Sequence, residues 1–260
     1  MGTLAENRAY YAEYDWRFGG AEWSAAWGTT EAMWNHTLRP RLARWLPAGT
    51  VVEIGAGCGR IAQFLLPEAD YELHLFDIMP PMVERCAKAF RHEPKIRSEL
   101  TDGMSLPGLA DGSVDLVLSF YSLVHSDGPT IDAYLSEIAR VLKPQGVAFM
   151  HHSNAGIYYD EAKANVDRRM QLLEKYRDVT LSAARFRELA AGHELKCVEQ
   201  ECVNWDVEQS LTDCFSTVAK AESAYDEMDR ARMNLGFRAE MRRAAKTVRR
   251  RARPSSQRGG

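Results

Sequence analysis

The stretch Thr50–Arg60, TVVEIGAGCGR, decides the fold of this chain. It begins with a β-branched run, continues through Glu53 to Ile54, and then places glycines at the alternate positions 55, 57 and 59. A helical pattern, IAQFLL, follows at once. We interpret the stretch as a buried strand, a tight glycine turn and the start of a helix. Glycine lets a backbone approach a ligand closely, and a helix N-terminus presents free N–H groups to it.

Length and composition limit the class of protein. A chain of 260 residues suits one α/β domain with additions, or at most two domains. No apolar run approaches the ~18 residues of a membrane span, and the N-terminus lacks a signal-peptide pattern. The five cysteines form no C-x-x-C pair, so neither a zinc site nor a disulfide framework is indicated. We therefore expect a cytoplasmic protein without membrane contact.

The net charge of −3 conceals an uneven distribution of charge. Residues 238–260 contain nine Lys/Arg and one Glu, so this segment carries +8 and the rest of the chain carries −11. A basic segment permits contact with RNA, but the body is acidic and no aromatic–basic interleaving surrounds the expected site. We expect a solvated tail or an acidic partner, and no nucleic acid.

Strand and helix patterns alternate beyond the glycine turn, which implies right-handed βαβ units and a parallel sheet. The last two strand patterns, 195–205 and 210–221, are separated by a short turn and are expected to pair antiparallel. The predicted fold class is α/β, a Rossmann-like seven-stranded, mostly parallel sheet with its last strands antiparallel and helices on both faces. The intervening patterns are strands at 71–76, 95–100, 113–119 and 147–152 and helices at 81–90, 130–146 and 181–193.

Three segments flank or interrupt the central domain, which we place at residues 48–220. Residues 1–47 carry five of the six tryptophans and are interpreted as helices that form an aromatic cover on the sheet or a lid over the ligand site. Residues 156–180 are predicted to form a charged helical insertion on the ligand face. Residues 221–260 are predicted to form a long helix, which could serve a homodimer, and a frayed arginine-rich tail.

Ligands of open α/β sheets lie beyond the carboxyl ends of the strands, so residues there are the candidates. Arg60 occupies the sixth position of the glycine motif, and the spacing G-x-G-x-G departs from the dinucleotide pattern. Asp77 follows the second strand and is placed to accept both hydroxyls of a ribose. Asp102 follows the third and is either a partner for an adenine amino group or part of a D-G turn. The candidate cofactor-binding residues are Glu53, Gly55, Ala56, Gly57, Asp77, Ile78, Asp102, Gly103, Met104 and Phe120.

The motifs EIGAGCGR, Asp77, TDG, SVDLVLSF and RVLKPQGVAF resemble those of class I S-adenosylmethionine-dependent methyltransferases in order and spacing. The resemblance covers about residues 48–155 and implies S-adenosylmethionine as the cofactor. WGTTEAMW, FYSLVHSD, AFMHHSN, QECVNW and TDCFS extend it, over about residues 23–218, to bacterial enzymes that methylate sugar hydroxyls. That narrower resemblance implies a small saccharide acceptor. The chain departs from it at Tyr121, where an Asp is usual, and at Ala56 and Cys58, where bulkier residues are common.

Methyl transfer to an alcohol needs aligned reactants and a base for the hydroxyl proton. A histidine, with a pKa near ~6.5, suits that task. His125 follows the fourth strand and His151 and His152 end the fifth; neighbours on a strand face opposite ways, so at most one of that pair faces the site. We predict His125 as the catalytic base and His152 as the second candidate. The candidate substrate-binding residues are Trp27, Tyr121, His151, Ser153, Asn154, Trp205 and Asp213, with a core position an equal alternative for Trp205.

Three alternatives stay open. Some sugar methyltransferases use Mg²⁺ to acidify the acceptor, and Asp127, Asp206 and Asp213 are available, but their spacing does not require a metal and none is assigned. The acceptor is alternatively a non-sugar natural product methylated on oxygen or nitrogen, with RNA the weaker case. A protein that keeps the fold without catalysis is the third, and the intact glycine loop with Asp77 argues against it.

Overall fold

The computed structural model describes residues 2–160, 163, 167–205 and 209–251, and it places the strand of the glycine motif inside one sheet. Within these residues the sheet has eight strands in the order β3-β2-β1-β4-β5-β7-β6-β8. The chain order reverses between β1 and β4, which is where open α/β sheets bind ligands. The strands are β1 (Ala48–Ile54), β2 (Ala69–Asp77), β3 (Ile96–Leu100), β4 (Val114–Ser119), β5 (Leu142–Ser153), β6 (Leu195–Val203), β7 (Asp213–Lys220) and β8 (Arg232–Asn234).

Only β7 runs against the other described strands. β1 pairs in parallel with β2 and β4, with Ile54 beside Phe76 and Glu53 beside Leu118. β7 pairs antiparallel with β5 and β6. The predicted α/β class, mostly parallel with antiparallel pairing at the end of the chain, is confirmed. The strand count is one higher than predicted, because the three-residue strand β8 adds in parallel to β6.

Helices pack on both faces of the sheet, as the alternating pattern predicted. Neighbouring strand residues divide between the two faces of the sheet. Val51 and Leu116 pack toward the N-terminal segment and the last helix, and Val52 and Val117 pack toward the helices α6 (Gly128–Val141) and α8 (Ala183–Gly192). No helix in the described part of the chain is both long and apolar enough to cross a membrane. The helices are α1 (Leu4–Ala12), α2 (Thr30–Met33), α3 (Arg39–Leu42), α4 (Ala62–Leu65), α5 (Pro80–Ala89), α6 (Gly128–Val141), α7 (Arg168–Tyr176), α8 (Ala183–Gly192) and α9 (Phe237–Arg251).

The N-terminal segment lies across the carboxyl ends of the strands. Its first helix, α1, was not predicted; Thr3 and Glu6 begin it with a reciprocal capping box. The segment continues through the 3₁₀ turn Ala21–Trp27, and α2 runs through a π-helical turn into α3. α1 supplies residues to a cavity at this edge of the sheet, while Trp27 is buried in the core.

The C-terminal prediction was wrong in two respects. The helix predicted within residues 221–260 begins only at Phe237, and Arg232–Asn234 before it form β8. The arginine-rich segment expected to be frayed instead forms α9 as far as residue 251. The reason is a stripe of apolar residues at helical spacing, with Phe237, Met241 and Ala244 buried in the core. Residues 252–260 of the predicted tail lie outside the described residues.

In the predicted insertion, residues 156–180, the structure describes helix over only part of the length. A short 3₁₀ turn, Ala155–Ile157, follows β5, and α7 covers only Arg168–Tyr176. Asp167 begins α7 by accepting a hydrogen bond from the backbone N–H of Arg169. Residues 161–162 and 164–166 of the predicted helix lie outside the described residues. The last helix prediction before the C-terminal strands is confirmed as α8.

Candidate active site

The glycine turn after β1 holds its backbone close to a neighbouring loop. Gly55 has φ +75°, and a Cβ atom there would overlap the side chain of Ser122. Any other residue would therefore be both strained and obstructed. The N–H groups of Gly55 and Ala56 donate to the carbonyl of Phe76 on β2. The turn thus ties β1 to β2 and leaves a bare backbone wall at the reversal point of the sheet.

A cavity of about 680 Å³, counted to its mouth, lies against this wall. The sheet loops form one side, and α1 with two tryptophans forms the other. Asn7 of α1 is buried and donates from Nδ2 to the carbonyl of His125 at 3.2 Å, which anchors the helix over the cavity. We call this space the donor cavity. Its lining residues are Leu4, Asn7, Tyr11, Trp16, Trp23, Ile54, Gly55, Gly57, Asp77, Ile78, Met79, Thr101, Gly103, Tyr121, Ser122, Leu123, Ser126, Thr130 and Tyr134.

Asp77 lies in the donor cavity wall as predicted from its place after β2. Its Oδ2 atom accepts from the N–H of Gly57 at 2.8 Å and its Oδ1 atom accepts from Met79 at 2.9 Å. Burial raises the pKa of Asp77, and these backbone donors oppose the shift. Each carboxylate oxygen has a second lone pair, so the group can still accept bonds from a ligand hydroxyl.

Asp102 belongs to a turn, which is one of the two alternatives that the sequence left open for it. Its Oδ1 atom accepts from the N–H groups of Met104 and Ser105, both at 2.8 Å, and the donor from Met104 leads the lowering of its pKa. Its side chain is not among those that line the donor cavity. Gly103 does line the cavity, whereas Met104 is largely exposed.

A small side cavity of about 310 Å³ adjoins the glycine turn and contains Glu53 and Arg60. The Oε2 atom of Glu53 is buried without a hydrogen-bond partner among the described residues. Burial raises the pKa of Glu53 to about 8, although Arg60 opposes the shift. Ala56 and Phe120 also line this space, which accounts for two further predicted cofactor residues. An unpartnered carboxyl oxygen at this point calls for a donor or a cation.

A second cavity of about 1140 Å³, counted to its mouth, lies on the other side of three aromatic residues. Tyr11, Trp23 and Tyr121 line both this space and the donor cavity. Tyr121 has φ +63°, an uncommon conformation for a residue with a side chain. We call the second space the acceptor cavity. Its lining residues are Tyr10, Tyr11, Trp23, Tyr121, His125, Arg169, Leu172, Leu173, Tyr176 and Arg177.

His125 is the one predicted histidine that lines the acceptor cavity in the described part of the chain. Its Nδ1 atom lies 2.6 Å from the carbonyl oxygen of Tyr176. A carbonyl only accepts, so Nδ1 carries the proton and Nε2 keeps its lone pair. No described residue is hydrogen-bonded to Nε2. Burial, followed by the charge of Arg177, lowers the pKa of His125 to about 3, which keeps the ring neutral at neutral pH.

His151 and Asp213 lie behind the acceptor cavity in a fully buried network. Nε2 of His151 donates to Oδ2 of Asp213 at 2.9 Å, and Arg177 donates to the same carboxylate from Nε at 2.8 Å and Nη2 at 3.0 Å. Burial by itself raises the pKa of Asp213, but Arg177 and His151 outweigh it and hold that pKa well below its usual range. Neither predicted substrate-binding residue lines the acceptor cavity.

The prediction of His152 as a second base disagrees with its position. Its ring stacks on Phe186 of α8 with 4.0 Å between ring centroids, and its Nε2 atom pairs with Oγ of Ser216 at 2.8 Å. The side chain is fully buried on the face opposite to His151, because adjacent strand residues alternate. His152 therefore belongs to the core.

The remaining predicted substrate residues are structural, apart from Tyr121. Ser153 donates to the carbonyl of Asp178, and Asn154 bridges the carbonyl of Leu211 and the N–H of Ala183. Trp205 stacks on the Phe237 ring at 5.4 Å between centroids, so the core alternative applies to it. Trp27 is buried against Trp205 and donates to the hydroxyl of Thr37. None of these four lines either large cavity.

The cavity residues that the sequence did not indicate come mainly from two segments. Tyr11, Trp16 and Trp23 come from the N-terminal cover, and the segment RAYYAEYDW has an unusual density of aromatic residues that was a usable signal. Arg177 lies at the end of the insertion, in a run of charges that looks solvated. It carries no local signal, since its partner Asp213 is 36 residues away.

No group of three or more His, Cys, Asp or Glu side chains is arranged to hold a metal within the described ranges. Asp127 caps α6 by accepting from the N–H of Thr130, and Asp213 is bound to Arg177. Asp206, the third acid considered for Mg²⁺, lies outside the described residues.

Residues 51–146 match the family model described as a methyltransferase domain. These residues run from β1 into β5 and include the glycine turn and Asp77, which form the donor cavity wall. This part of the chain therefore has the sequence of a methyltransferase domain. Such domains use S-adenosylmethionine, and the predicted resemblance to that class is confirmed at this level.

Similar proteins support the methyltransferase assignment. An uncharacterized methyltransferase of Schizosaccharomyces pombe is 29% identical over 149 residues, so this chain spans about half the length of that curated relative, 53% of each. A putative sarcosine dimethylglycine methyltransferase from Galdieria sulphuraria has a TM-score of 0.57 at 16% identity, covering 74% of this chain and 86% of that one. A geranyl diphosphate methyltransferase solved with S-adenosylmethionine has a TM-score of 0.56 at 12% identity, covering 73% and 85%. At these identities the solved structures show the fold.

The donor cavity and the side cavity that adjoins it fit S-adenosylmethionine on three observations. Glu53 presents an unpartnered buried oxygen in the side cavity, which suits the ammonium of the methionine part. Asp77 presents its carboxylate beyond β2, which suits the ribose hydroxyls. Gly55 keeps the wall free of side chains where a Cβ would obstruct it.

Proposed function

We propose that this protein is an S-adenosylmethionine-dependent O-methyltransferase that methylates a hydroxyl of a sugar or saccharide, with His125 as general base. One observation carries the proposal. The donor and acceptor cavities share the wall of Tyr11, Trp23 and Tyr121, and His125, whose Nε2 is unprotonated, lines the acceptor cavity. A methyl donor and an acceptor held in these two spaces meet at that wall.

The residues of the donor cavity hold and orient the cofactor. S-adenosylmethionine, when bound, supplies a methyl group activated by its positively charged sulfur. Asp77 accepts from the ribose hydroxyls, and Glu53 pairs with the ammonium. Residues of α1 and Trp16 form the wall of the cavity opposite the sheet loops. Proximity and alignment of this kind are worth ~7–11 kcal/mol of the barrier.

His125 is the base that accepts the proton lost by the hydroxyl of the methyl acceptor. Its Nδ1–H is committed to the carbonyl of Tyr176, so the ring is fixed with Nε2 as the acceptor atom. Nε2 would accept the proton that the acceptor hydroxyl loses on methylation, and the cofactor, having given up the methyl group from its sulfur, would leave as S-adenosylhomocysteine. A positioned base of this type contributes ~10²–10⁴-fold to the rate. The depressed pKa keeps the base unprotonated before the acceptor arrives.

The shape of the acceptor cavity supports a ring-shaped acceptor with polar groups. Tyr10, Tyr11, Trp23, Tyr121 and Tyr176 contribute flat faces that also carry polar atoms at their edges. A saccharide ring stacks its C–H faces on such surfaces while its hydroxyls reach the polar edges. Flat natural products with a hydroxyl would use the same faces, so a phenolic acceptor is the alternative that this observation favours.

The test is a panel of acceptors with labelled S-adenosylmethionine, comprising monosaccharides, nucleotide sugars, phenols, amines and RNA. We expect label on a saccharide hydroxyl. His125→Ala should lower turnover ~10²–10⁴-fold with S-adenosylhomocysteine affinity unchanged. His193→Ala is the matched control, since His193 pairs with Asp132 away from the cavity. Label on amines or RNA alone would contradict the acceptor class, and full turnover by His125→Ala would contradict the base.

A further inference from the structure

Tyr121 in the wall that the cavities share and His125 beside it in the acceptor cavity are held by one buried network. His125 and Tyr121 both line the acceptor cavity, and neither makes its anchoring hydrogen bond to the other. His125 is held through the carbonyl of Tyr176, and the backbone N–H of Tyr121 donates to Nδ1 of His151 at 3.2 Å. Both anchors lead to the carboxylate of Asp213.

The first branch runs through Arg177. Its Nε and Nη2 atoms bind both oxygens of Asp213, and its Nη1 atom donates to the carbonyl of Tyr176 at 2.8 Å. That carbonyl is the acceptor for Nδ1–H of His125 at 2.6 Å. A two-point bond fixes the plane of a guanidinium, so Asp213 determines where Arg177 holds the carbonyl. The position of the carbonyl selects the tautomer of His125.

The second branch runs through His151. Its Nε2–H donates to Asp213, so its Nδ1 atom is left as an acceptor for the N–H of Tyr121. That bond supports a backbone with φ +63°, which is unfavourable for a tyrosine unless its surroundings hold it. The carboxylate of Asp213 and the ring of His151 are fully buried, and Arg177 is 4% exposed. Losing one partner of this network would leave a charge buried and uncompensated, which is strongly destabilising.

We infer that Asp213 and Arg177 are positioning residues that set the tautomer of His125 and the conformation of Tyr121. The inference rests on the proposed function of His125. It assigns to the insertion, which supplies Tyr176 and Arg177, the task of completing the base rather than only covering the site.

The experiment uses the full chain with ¹⁵N-labelled histidine. We compare wild type with Asp213→Asn and Arg177→Lys; the second keeps the charge but loses the planar fork. Glu201→Gln is the matched control, because Arg41 binds Glu201 with the same two-point geometry at 2.8 and 3.0 Å away from both cavities. Thermal unfolding and S-adenosylhomocysteine affinity establish that each variant is folded. If Asp213→Asn does not fold, the comparison of Arg177→Lys with wild type tests the inference.

The expected NMR result is a single Nδ1-protonated signal for His125 in wild type and Glu201→Gln, and a mixture of tautomers in the other two variants. With an acceptor from the panel, Asp213→Asn should lower kcat about 10²-fold, the effect of a misplacement near 1 Å. Added to His125→Ala, it should lower kcat little further. An unchanged His125 tautomer in the folded variants, or losses that multiply, would overturn the inference. A full rate for His125→Ala would instead refute the proposed base and leave the tautomer result standing.

Discussion

Nε2 of His151 and Oδ2 of Asp213 lie 2.9 Å apart in the interior, although 62 residues separate them in the sequence. The reason is the reversed direction of β7. Asp213 is its first residue and pairs in register with Ser153, the last residue of β5. An antiparallel strand brings its beginning to the edge where parallel strands bring their ends. The edge of the sheet that carries the cavities therefore gains a carboxylate from the beginning of β7. The expectation that site residues follow the carboxyl ends of parallel strands does not account for it.

Proton release on cofactor binding should report the state of Glu53. Its pKa of about 8 means that the free chain holds a proton on Glu53 at pH 7. An ammonium beside it favours the ionised form, so binding at pH 7 should release close to one proton. Affinity should then rise with pH up to about 8 and level off above it. Calorimetry with S-adenosylhomocysteine in two buffers of different ionisation enthalpy measures the release.

Glu53→Gln is the control for this experiment, because it keeps the shape and cannot titrate. Subtracting the number of protons released by Glu53→Gln from the number released by wild type removes any proton exchanged by the ligand itself. Equal proton release by wild type and Glu53→Gln would show that Glu53 does not meet the cation.

His152→Gln should leave turnover close to wild type and reduce acid sensitivity. Burial lowers the pKa of His152 to about 3 in the folded chain, while the unfolded value is near ~6.5. Between these values the unfolded chain binds more protons, so the free energy of unfolding falls as pH falls. Wild type should lose about 2 kcal/mol more than His152→Gln between pH 7 and pH 5.

Urea denaturation at the two pH values measures the His152 effect. The same mutation separates the two histidine assignments, since His125→Ala should abolish most turnover and His152→Gln should not. A large loss of kcat in a folded His152→Gln protein would return His152 to the list of candidate bases.

Gly55→Ala should remove cofactor binding. The added methyl group would overlap Ser122 and would require φ +75° of a residue with a Cβ. Strain of this kind destabilises by ~1–3 kcal/mol or shifts the turn into the donor cavity. Gly192→Ala is the control, because nothing lies within 4 Å of its Cβ position. S-adenosylhomocysteine titration checks the result, and wild-type affinity in Gly55→Ala would contradict the close approach.

Phe237→Ala should destabilise the protein by about 3–5 kcal/mol, the usual effect of truncating a buried phenylalanine. Phe237 is fully buried and packs on Trp205, Trp27 and Phe215. Arg243→Ala, on the exposed side of α9, should change stability by less than about 0.5 kcal/mol. Chemical denaturation compares the two. Equal small effects would show that α9 does not belong to the core.

The C-terminal segment shows where sequence patterns misled the prediction. A high density of arginine suggested a solvated tail, while the buried positions Phe237, Met241 and Ala244 are spread thinly among the charges. The partners of Phe237 include Trp27, which lies near the opposite end of the chain. The stripe is visible in the sequence, but its burial depends on a surface that forms only when both ends of the chain meet.

The sequence by itself determined the fold class and the glycine turn, and it predicted that Asp77 and His125 lie beyond the ends of strands. Each of these follows from local chemistry: Gly55 from a turn only glycine can make, and Asp77 and His125 from their place after a buried strand. The tertiary structure decided the rest of the site. The network of Asp213, Arg177 and His151 and the aromatic wall of Tyr11 and Trp23 join segments far apart in the chain. A burial that depends on such distant partners leaves no mark in the local residue pattern.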